Sequence, residues 1–224
     1  MFLYYITNRL AFPGGEAQQR RALLARIAEA AAAGVDYIQL REKDLSVREL
    51  EGLAKEFTSA VRNASGTTRV LINQHTEVAL ACGADGVHLP GGSLPASEVR
   101  PMWMRASVRD PIIGVSAHTI EEVRSAEAHG ADFVVLAPIF EKPGTNLPGL
   151  GLSLLATACG RAKPPDNTEA APTSHFPVLA LGGVSVDNAA ACLRAGAAGV
   201  AGIRLFQEGN LRETVRLLRQ LSAI

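Results

Sequence analysis

A short pattern, in which a glycine is followed by an apolar run, recurs four times along the chain. Each copy follows an alanine-rich stretch of helical periodicity and leads into β-branched or aromatic residues. The four copies begin at Gly34, Gly83, Gly130 and Gly196. Glycine can end a helix in the left-handed conformation at little steric cost. Each copy therefore predicts a helix-to-strand junction.

Further short apolar runs raise the number of predicted strands to eight. They cover residues 2–6, 69–73, 111–115 and 176–181. Continuous short apolar runs are typical of parallel strands that are buried on both faces. Helical patterns lie between them, including 16–33, 46–61, 119–129 and 211–222. Eight alternations of strand and helix predict an α/β protein with a single (β/α)8 TIM barrel over residues 1–224; a doubly wound open sheet is the alternative.

A polar, proline-rich stretch at 163–175 interrupts this alternation. It follows a predicted helix and precedes a predicted strand, so it is expected to form a loop on the N-terminal face of the barrel. That face serves stability rather than chemistry in barrel enzymes. The loop is therefore expected to be dispensable for activity.

Composition narrows the class of partner. Basic and acidic residues number 22 each, so the formal net charge is zero. A neutral chain with no basic run and no long apolar stretch predicts neither a nucleic-acid partner nor a membrane partner. Its three cysteines form no CxxC pair, which is typical of a cytoplasmic protein. No metal-binding motif is present, and no metal site is predicted.

Candidate chemistry is expected at the carboxyl ends of the strands, where barrel enzymes hold their active sites. The second strand ends in Gln39 and Arg41, which share one face, and Lys43 follows. Two cations at a strand end indicate an anionic ligand, with phosphate or pyrophosphate favoured. Asn73 ends the third strand.

The fifth strand ends in Ser116 and leads to His118. A histidine just past a strand end has a near-neutral pKa that suits proton transfer without a metal. His118 is therefore the candidate acid or base. The role of His88, at the end of the fourth strand, stays open.

The last two strands end in residues suited to a phosphate group. Gly182 and Gly183 follow the seventh strand, and Ile203 and Arg204 follow the eighth. Backbone N–H groups after these strands form the usual phosphate site of a barrel, and glycine leaves them open to a ligand. Arg204 would add positive charge.

The sequence resembles the thiamine phosphate synthase and thiazole tautomerase (TenI) family over nearly its whole length. The resemblance rests on the motifs at 39–43, 83–89, 114–119, 137–140, 181–183 and 199–203, with Asn73. It implies a barrel whose partner is a small phosphorylated thiazole. The phosphate would lie on the Gly182–Gly183 turn and on the amides near Ile203 and Arg204. Because the family tends to dimerise, a homodimer is expected.

The two branches of the family differ in their second ligand. In the synthases, residues matching Gln39, Arg41, Lys43 and Asn73 bind a pyrimidine pyrophosphate with Mg²⁺, which two aspartates hold. This chain has Gln74 and Ser93 at those two positions. An amide and a hydroxyl are poor substitutes for anionic ligands of Mg²⁺.

The loss of both aspartates favours the TenI-like branch, in which a histidine matching His118 shifts a proton on a carboxythiazole phosphate. No cofactor is then expected; Mg²⁺ is expected only for a synthase. Two alternatives stay open: a thiamine phosphate synthase, and a non-catalytic protein that binds thiazole phosphate. The retained Gln39, Arg41 and Lys43 have no evident use in a tautomerase.

Overall fold

The computed structural model describes residues 1–141, 148–162 and 176–221. Eight parallel strands form a closed barrel in chain order, which confirms the predicted (β/α)8 fold. The strands are β1 Phe2–Ile6, β2 Tyr37–Leu40, β3 Arg69–Asn73, β4 Gly86–Leu89, β5 Ile112–Ala117, β6 Phe133–Leu136, β7 Val178–Ala180 and β8 Gly199–Gly202. The predicted loop at 163–175 and Lys142 lie outside the described residues.

Helices alternate with the strands on the outside of the barrel. They are α1 Glu16–Ala32, α2 Val47–Ala64, α3 Thr76–Ala81, α4 Ala96–Ala106, α5 Ile120–Ala128, α6 Gly151–Ala158, α7 Val186–Arg194, α8 Arg204–Gln207 and α9 Leu211–Gln220, and a short 3-10 helix covers Arg9–Ala11. None of the described helices is long and apolar enough to cross a membrane.

The four glycine junctions have the predicted backbone conformation. Their φ angles are 91° at Gly34, 64° at Gly83, 76° at Gly130 and 103° at Gly196. Each glycine directly follows the last turn of a helix and precedes β2, β4, β6 or β8. An L-residue with a side chain would be strained there. The repeat thus marks every second strand of the barrel.

The aspartate found in three of the four junctions has a role of its own. Asp36 accepts a hydrogen bond from the backbone N–H of Leu3 at 2.7 Å, across to the preceding strand. Asp85 accepts the N–H of Val70 at 2.8 Å and Asp132 that of Ile113 at 2.6 Å. Each carboxylate caps the start of the neighbouring strand, where a ladder bond has not yet formed.

The strands bury apolar side chains on both faces. Their outward residues join the helices in a large hydrophobic layer. Their inward residues fill the barrel with a smaller cluster built around Tyr4, Leu71, Phe133, Val135 and Leu179. Because side chains alternate along a strand, the inward set continues to the carboxyl ends of the strands as Gln39, Asn73 and Ser116. The barrel is therefore apolar in its centre and polar at its mouth.

Candidate functional site

Two amides meet at the ends of β2 and β3. The Nε2 atom of Gln39 donates to Oδ1 of Asn73 at 2.9 Å, and Gln39 is only 1% exposed. The Oε1 atom of Gln39 is buried and has no hydrogen-bond partner among the described residues. A buried carbonyl oxygen without a donor is costly. This atom is therefore suited to accept a hydrogen bond from a ligand.

The two predicted cations of this region occupy different places. Arg41 directly follows the carboxyl end of β2, which places it at the barrel mouth, and its backbone N–H donates to the hydroxyl of Thr7 at 3.0 Å. Lys43 is exposed and lines a cavity of about 240 Å³ together with Asn73, Gln74 and His75. The structure thus brings Gln39 and Asn73 together, places Lys43 in a cavity that Asn73 also lines, and leaves Arg41 one residue past the end of β2.

A buried ion-pair network supports the segment that carries these cations. The guanidinium of Arg9, a residue that is 2% exposed, donates to both carboxylate oxygens of Asp44 at 2.7 Å. The backbone N–H of Arg9 donates to Glu42 at 2.9 Å, and the hydroxyl of Thr7 donates to Glu42 at 2.6 Å. Thr7 in turn accepts the N–H of Arg41 at 3.0 Å. The network fixes the backbone from 41 to 44.

The pKa values of the two carboxyl groups in this network are shifted in opposite directions. The hydrogen bond from Arg9 lowers the pKa of Asp44. Burial raises the pKa of Glu42, against the hydrogen bonds from Thr7 and Arg9, which lower it. No motif in the sequence marks Arg9 or Glu42 as functional, although Arg9 follows the carboxyl end of β1 as Arg41 follows that of β2.

His88 lies inside the barrel between two hydroxyl groups. Its Nδ1 atom is 3.1 Å from the hydroxyl of Tyr4, and its Nε2 atom is 2.9 Å from Oγ of Ser116. Burial, together with repulsion from Arg41, lowers the pKa of His88 to about 3. The imidazole is therefore neutral at physiological pH, and it links the barrel centre to Ser116 at the mouth.

The low pKa of His88 predicts a pH-dependent stability. The unfolded chain binds a proton at His88 near pH 6.5, whereas the folded chain does so only near pH 3. The stabilisation by neutral His88 is therefore complete above about pH 6.5 and is lost as the pH falls toward 3. In urea unfolding, the stability difference between the wild type and His88→Gln should shrink over this range. The same comparison with His129→Gln, an exposed position, should show no such trend.

His118 lies on the rim of the barrel. Its side chain is 60% exposed, and its Nδ1 atom is 3.3 Å from a carboxylate oxygen of Glu122. Glu122 also accepts the backbone N–H of His118, and the hydroxyl of Thr119 caps α5. A hydrogen bond at one ring nitrogen sets which nitrogen carries the proton, so this carboxylate favours a hydrogen on Nδ1. A proton-transfer role for His118 stays a prediction.

The predicted phosphate turns have open N–H groups. Among the described residues, no acceptor is found for the backbone N–H of Gly182, Gly183, Ile203 or Arg204. Gly182 and Gly183 have φ angles of 93° and 66°. A Cβ atom on Gly182 would lie 2.6 Å from Cα of Pro138, so glycine is required for packing as well as for conformation. Arg204 is exposed and begins α8.

The positions expected to hold Mg²⁺ do not fit that ion. Gln74 is exposed and has a φ of 67°, and the hydroxyl of exposed Ser93 donates to the carbonyl of Pro90 at 2.8 Å. Within the described ranges, no group of three or more histidine, cysteine, aspartate or glutamate side chains could hold a metal. Mg²⁺ prefers carboxylate oxygens, and neither position supplies one.

The fold and this site define a class: a (β/α)8 barrel with a polar mouth at the carboxyl ends of its strands. Residues 3–206 match the family model described as thiamine monophosphate synthase. The chain belongs to the thiamine phosphate synthase and TenI family, as the sequence motifs indicated.

Individual relatives support the same assignment. The chain is 36% identical over 202 residues to the thiamine-phosphate synthase of Roseiflexus sp. (strain RS-1), covering 89% of this chain and 75% of that one. It is 37% identical over 194 residues to the thiamine-phosphate synthase of Halalkalibacterium halodurans, covering 84% and 81%. Among solved structures, the thiamine phosphate pyrophosphorylase from Pyrococcus furiosus aligns with a TM-score of 0.76 and 27% identity, covering 99% and 95%.

The names of these relatives bear on the choice between the two branches. Both relatives are named as synthases, whereas the missing aspartates of this chain favour the tautomerase branch. The family match itself does not distinguish a TenI-like branch.

Proposed function

We propose that the chain is a thiamine-phosphate synthase, a transferase that joins a pyrimidine diphosphate to a thiazole phosphate. The unpartnered oxygen of Gln39 carries the proposal. This buried acceptor suits a ligand that presents an N–H donor to it. An aminopyrimidine has such a donor, whereas an aromatic carboxythiazole phosphate has none. The names of the relatives support the same choice.

Two different sets of residues bind the two substrates. Gln39 and Asn73 hold the pyrimidine at the ends of β2 and β3, and the diphosphate faces Arg41 and Lys43. The thiazole phosphate lies on the open N–H groups of the turns after β7 and β8. Two separate anion sites are what a reaction of two phosphorylated substrates needs, since each substrate is positioned by its own charge.

In the reaction, the bond between the pyrimidine methylene carbon and the diphosphate oxygen breaks, and its electron pair leaves with pyrophosphate. The lone pair of the thiazole nitrogen then forms the new bond to that carbon. Arg41 and Lys43 stabilise the negative charge that develops on the leaving pyrophosphate. Since Gln74 and Ser93 do not fit Mg²⁺, these cations carry the role of charge neutralisation within the described chain.

The test measures thiamine phosphate formation from the two substrates with excess Mg²⁺ in the assay, read as thiochrome fluorescence. Turnover of about 1 per second or above, within the usual enzyme range, supports the proposal. The control is binding of thiazole phosphate to the same preparation. Intact binding without any product would refute the synthase.

A second function is favoured by the replacement of both metal-binding aspartates. It is proton transfer by His118 on a carboxythiazole phosphate, for which no metal is needed. The variant His118→Asn separates the two functions. It should abolish isomerisation if the chain is a tautomerase, and it should leave thiamine phosphate formation within a few-fold of the wild type if the chain is a synthase.

Restoring the two carboxylates should create affinity for the metal. The double variant Gln74→Asp, Ser93→Asp is expected to bind Mg²⁺ in the presence of pyrophosphate at least about tenfold more tightly than the wild type, because two anionic oxygens are added. Aspartate also tolerates the positive φ of position 74 better than most residues do. Calorimetry measures the affinity. An unchanged Mg²⁺ dissociation constant would show that these positions do not face the metal.

A further inference from the structure

Three polar groups form a chain from the barrel centre to its mouth. They are the hydroxyl of Tyr4, the imidazole of His88 and the hydroxyl of Ser116. Tyr4 is fully buried, and His88 is 3% exposed. Ser116 is half-buried at the carboxyl end of β5. The chain joins side chains from β1, β4 and β5, which are far apart in the sequence.

The direction of the hydrogen bonds follows from the buried end. The hydroxyl hydrogen of Tyr4 needs an acceptor, and Nδ1 of His88 is the partner that the described residues provide. Tyr4 therefore donates, and Nδ1 of His88 carries no hydrogen. A neutral imidazole then has its hydrogen on Nε2. That hydrogen is donated to Oγ of Ser116, 2.9 Å away.

Gly114 leaves room for the rings of this chain of polar groups because it has no side chain. A Cβ atom on Gly114 would lie 2.8 Å from Nδ1 of His88 and 2.4 Å from the ring of Phe133. Phe133 packs edge-on against Tyr4, with 5.5 Å between ring centroids. The rings of Tyr4 and His88 are thus held in place by neighbours that allow little movement.

We infer that Tyr4 is a positioning residue, which acts through His88 to make the Ser116 hydroxyl a hydrogen-bond donor toward the barrel mouth. Since Oγ of Ser116 accepts from His88, its own hydrogen is left for a ligand. Arg41 follows the carboxyl end of β2, at the same mouth of the barrel. A committed donor and a cation at one barrel mouth suit an anionic oxygen. That this oxygen belongs to the diphosphate rests on the proposed function, whereas the fixed tautomer of His88 does not.

The experiment uses the full chain with ¹⁵N-labelled histidine, and His88→Gln assigns the His88 signals. In the wild type, NMR should show a neutral ring with the hydrogen on Nε2. Tyr4→Phe removes the donor to Nδ1 and should produce a mixture of tautomers. The same variant should bind inorganic pyrophosphate about tenfold more weakly in calorimetry, the equivalent of about one hydrogen bond.

Tyr37→Phe is the matched control. Tyr37 packs against the rings of both Tyr4 and Phe133, but no hydrogen bond of its hydroxyl is found within the described part of the chain. This variant should keep the Nε2 tautomer and the pyrophosphate affinity, and so should show the effect of losing a neighbouring, half-buried tyrosine hydroxyl.

Three results are decisive. A hydrogen on Nδ1 in the wild type, or a Tyr4→Phe variant with unchanged tautomer and unchanged affinity, would overturn the inference. A tautomer shift with unchanged pyrophosphate affinity would overturn the role of Ser116 as the ligand's donor. A wild type that has the Nε2 tautomer but binds thiazole phosphate and not pyrophosphate would support the tautomer and contradict the proposed synthase.

Discussion

The variant Arg41→Met is expected to lower kcat/KM for thiamine phosphate formation by about 100-fold or more. Arg41 directly follows the carboxyl end of β2, at the barrel mouth. Truncating one partner of a desolvated, hydrogen-bonded charge pair costs about 2–5 kcal/mol, and each 1.4 kcal/mol is a factor of ten. Because pyrophosphate gains charge as the bond breaks, most of the loss should appear in kcat. Steady-state kinetics, with thiamine phosphate read as thiochrome fluorescence, gives both kcat and KM.

Arg69→Met is the control for this change. Arg69 is a half-exposed arginine at the amino end of β3, away from the barrel mouth. It pairs with Asp85 at 3.3 Å. An exposed ion pair contributes little, so this variant should keep kcat/KM within about twofold. If the Arg41→Met enzyme were as active as the Arg69→Met enzyme, Arg41 would not belong to the anion site.

The variant Arg9→Met is expected to lower the free energy of unfolding by about 3–5 kcal/mol, because removing one partner of a buried ion pair leaves the other uncompensated. Its guanidinium is 3% exposed and pairs with Glu42, which is 1% exposed, and with Asp44. Glu42 would lose a cation while it stays buried. Urea unfolding followed by circular dichroism gives the free energy.

Two further variants identify the cause of that loss. Arg20→Met removes a surface pair with Glu56 and should cost less than about 1 kcal/mol. Adding Glu42→Gln to Arg9→Met removes the stranded charge and should recover part of the stability, which makes the two changes non-additive. Additive losses would mean that the Glu42 charge does not depend on Arg9.

The fold could be predicted from the sequence because its signals are local. Each glycine junction and each apolar run lies within a few residues, and the predicted strand at 69–73 coincides with β3. The seventh strand is shorter than predicted, 178–180 rather than 176–181. Pro177 has no N–H to donate to a ladder, so β7 begins after it.

The site could be predicted only in part because its partners are distant in the sequence. Gln39, Asn73 and the glycine turns could be found since strand ends collect at one face of a barrel. The bond between Tyr4 and His88 joins residues 84 positions apart, and no periodicity reports it. Arg9 and Glu42 are charged residues just past strand ends, which in a sequence look solvated, whereas the barrel buries them.

The aspartates of the glycine junctions help to set the register between neighbouring strands. Asp36, Asp85 and Asp132 each tie an even-numbered strand to the backbone of the strand before it, whereas Ala198 leaves the fourth such pair without a carboxylate. A one-residue slip would turn every inward side chain outward. Three strand pairs therefore have a side-chain contact that holds their register, whereas β7 and β8 are aligned by their backbone hydrogen bonds. A contact at the amino ends of the strands thus helps to align their carboxyl ends, where the candidate ligand groups lie.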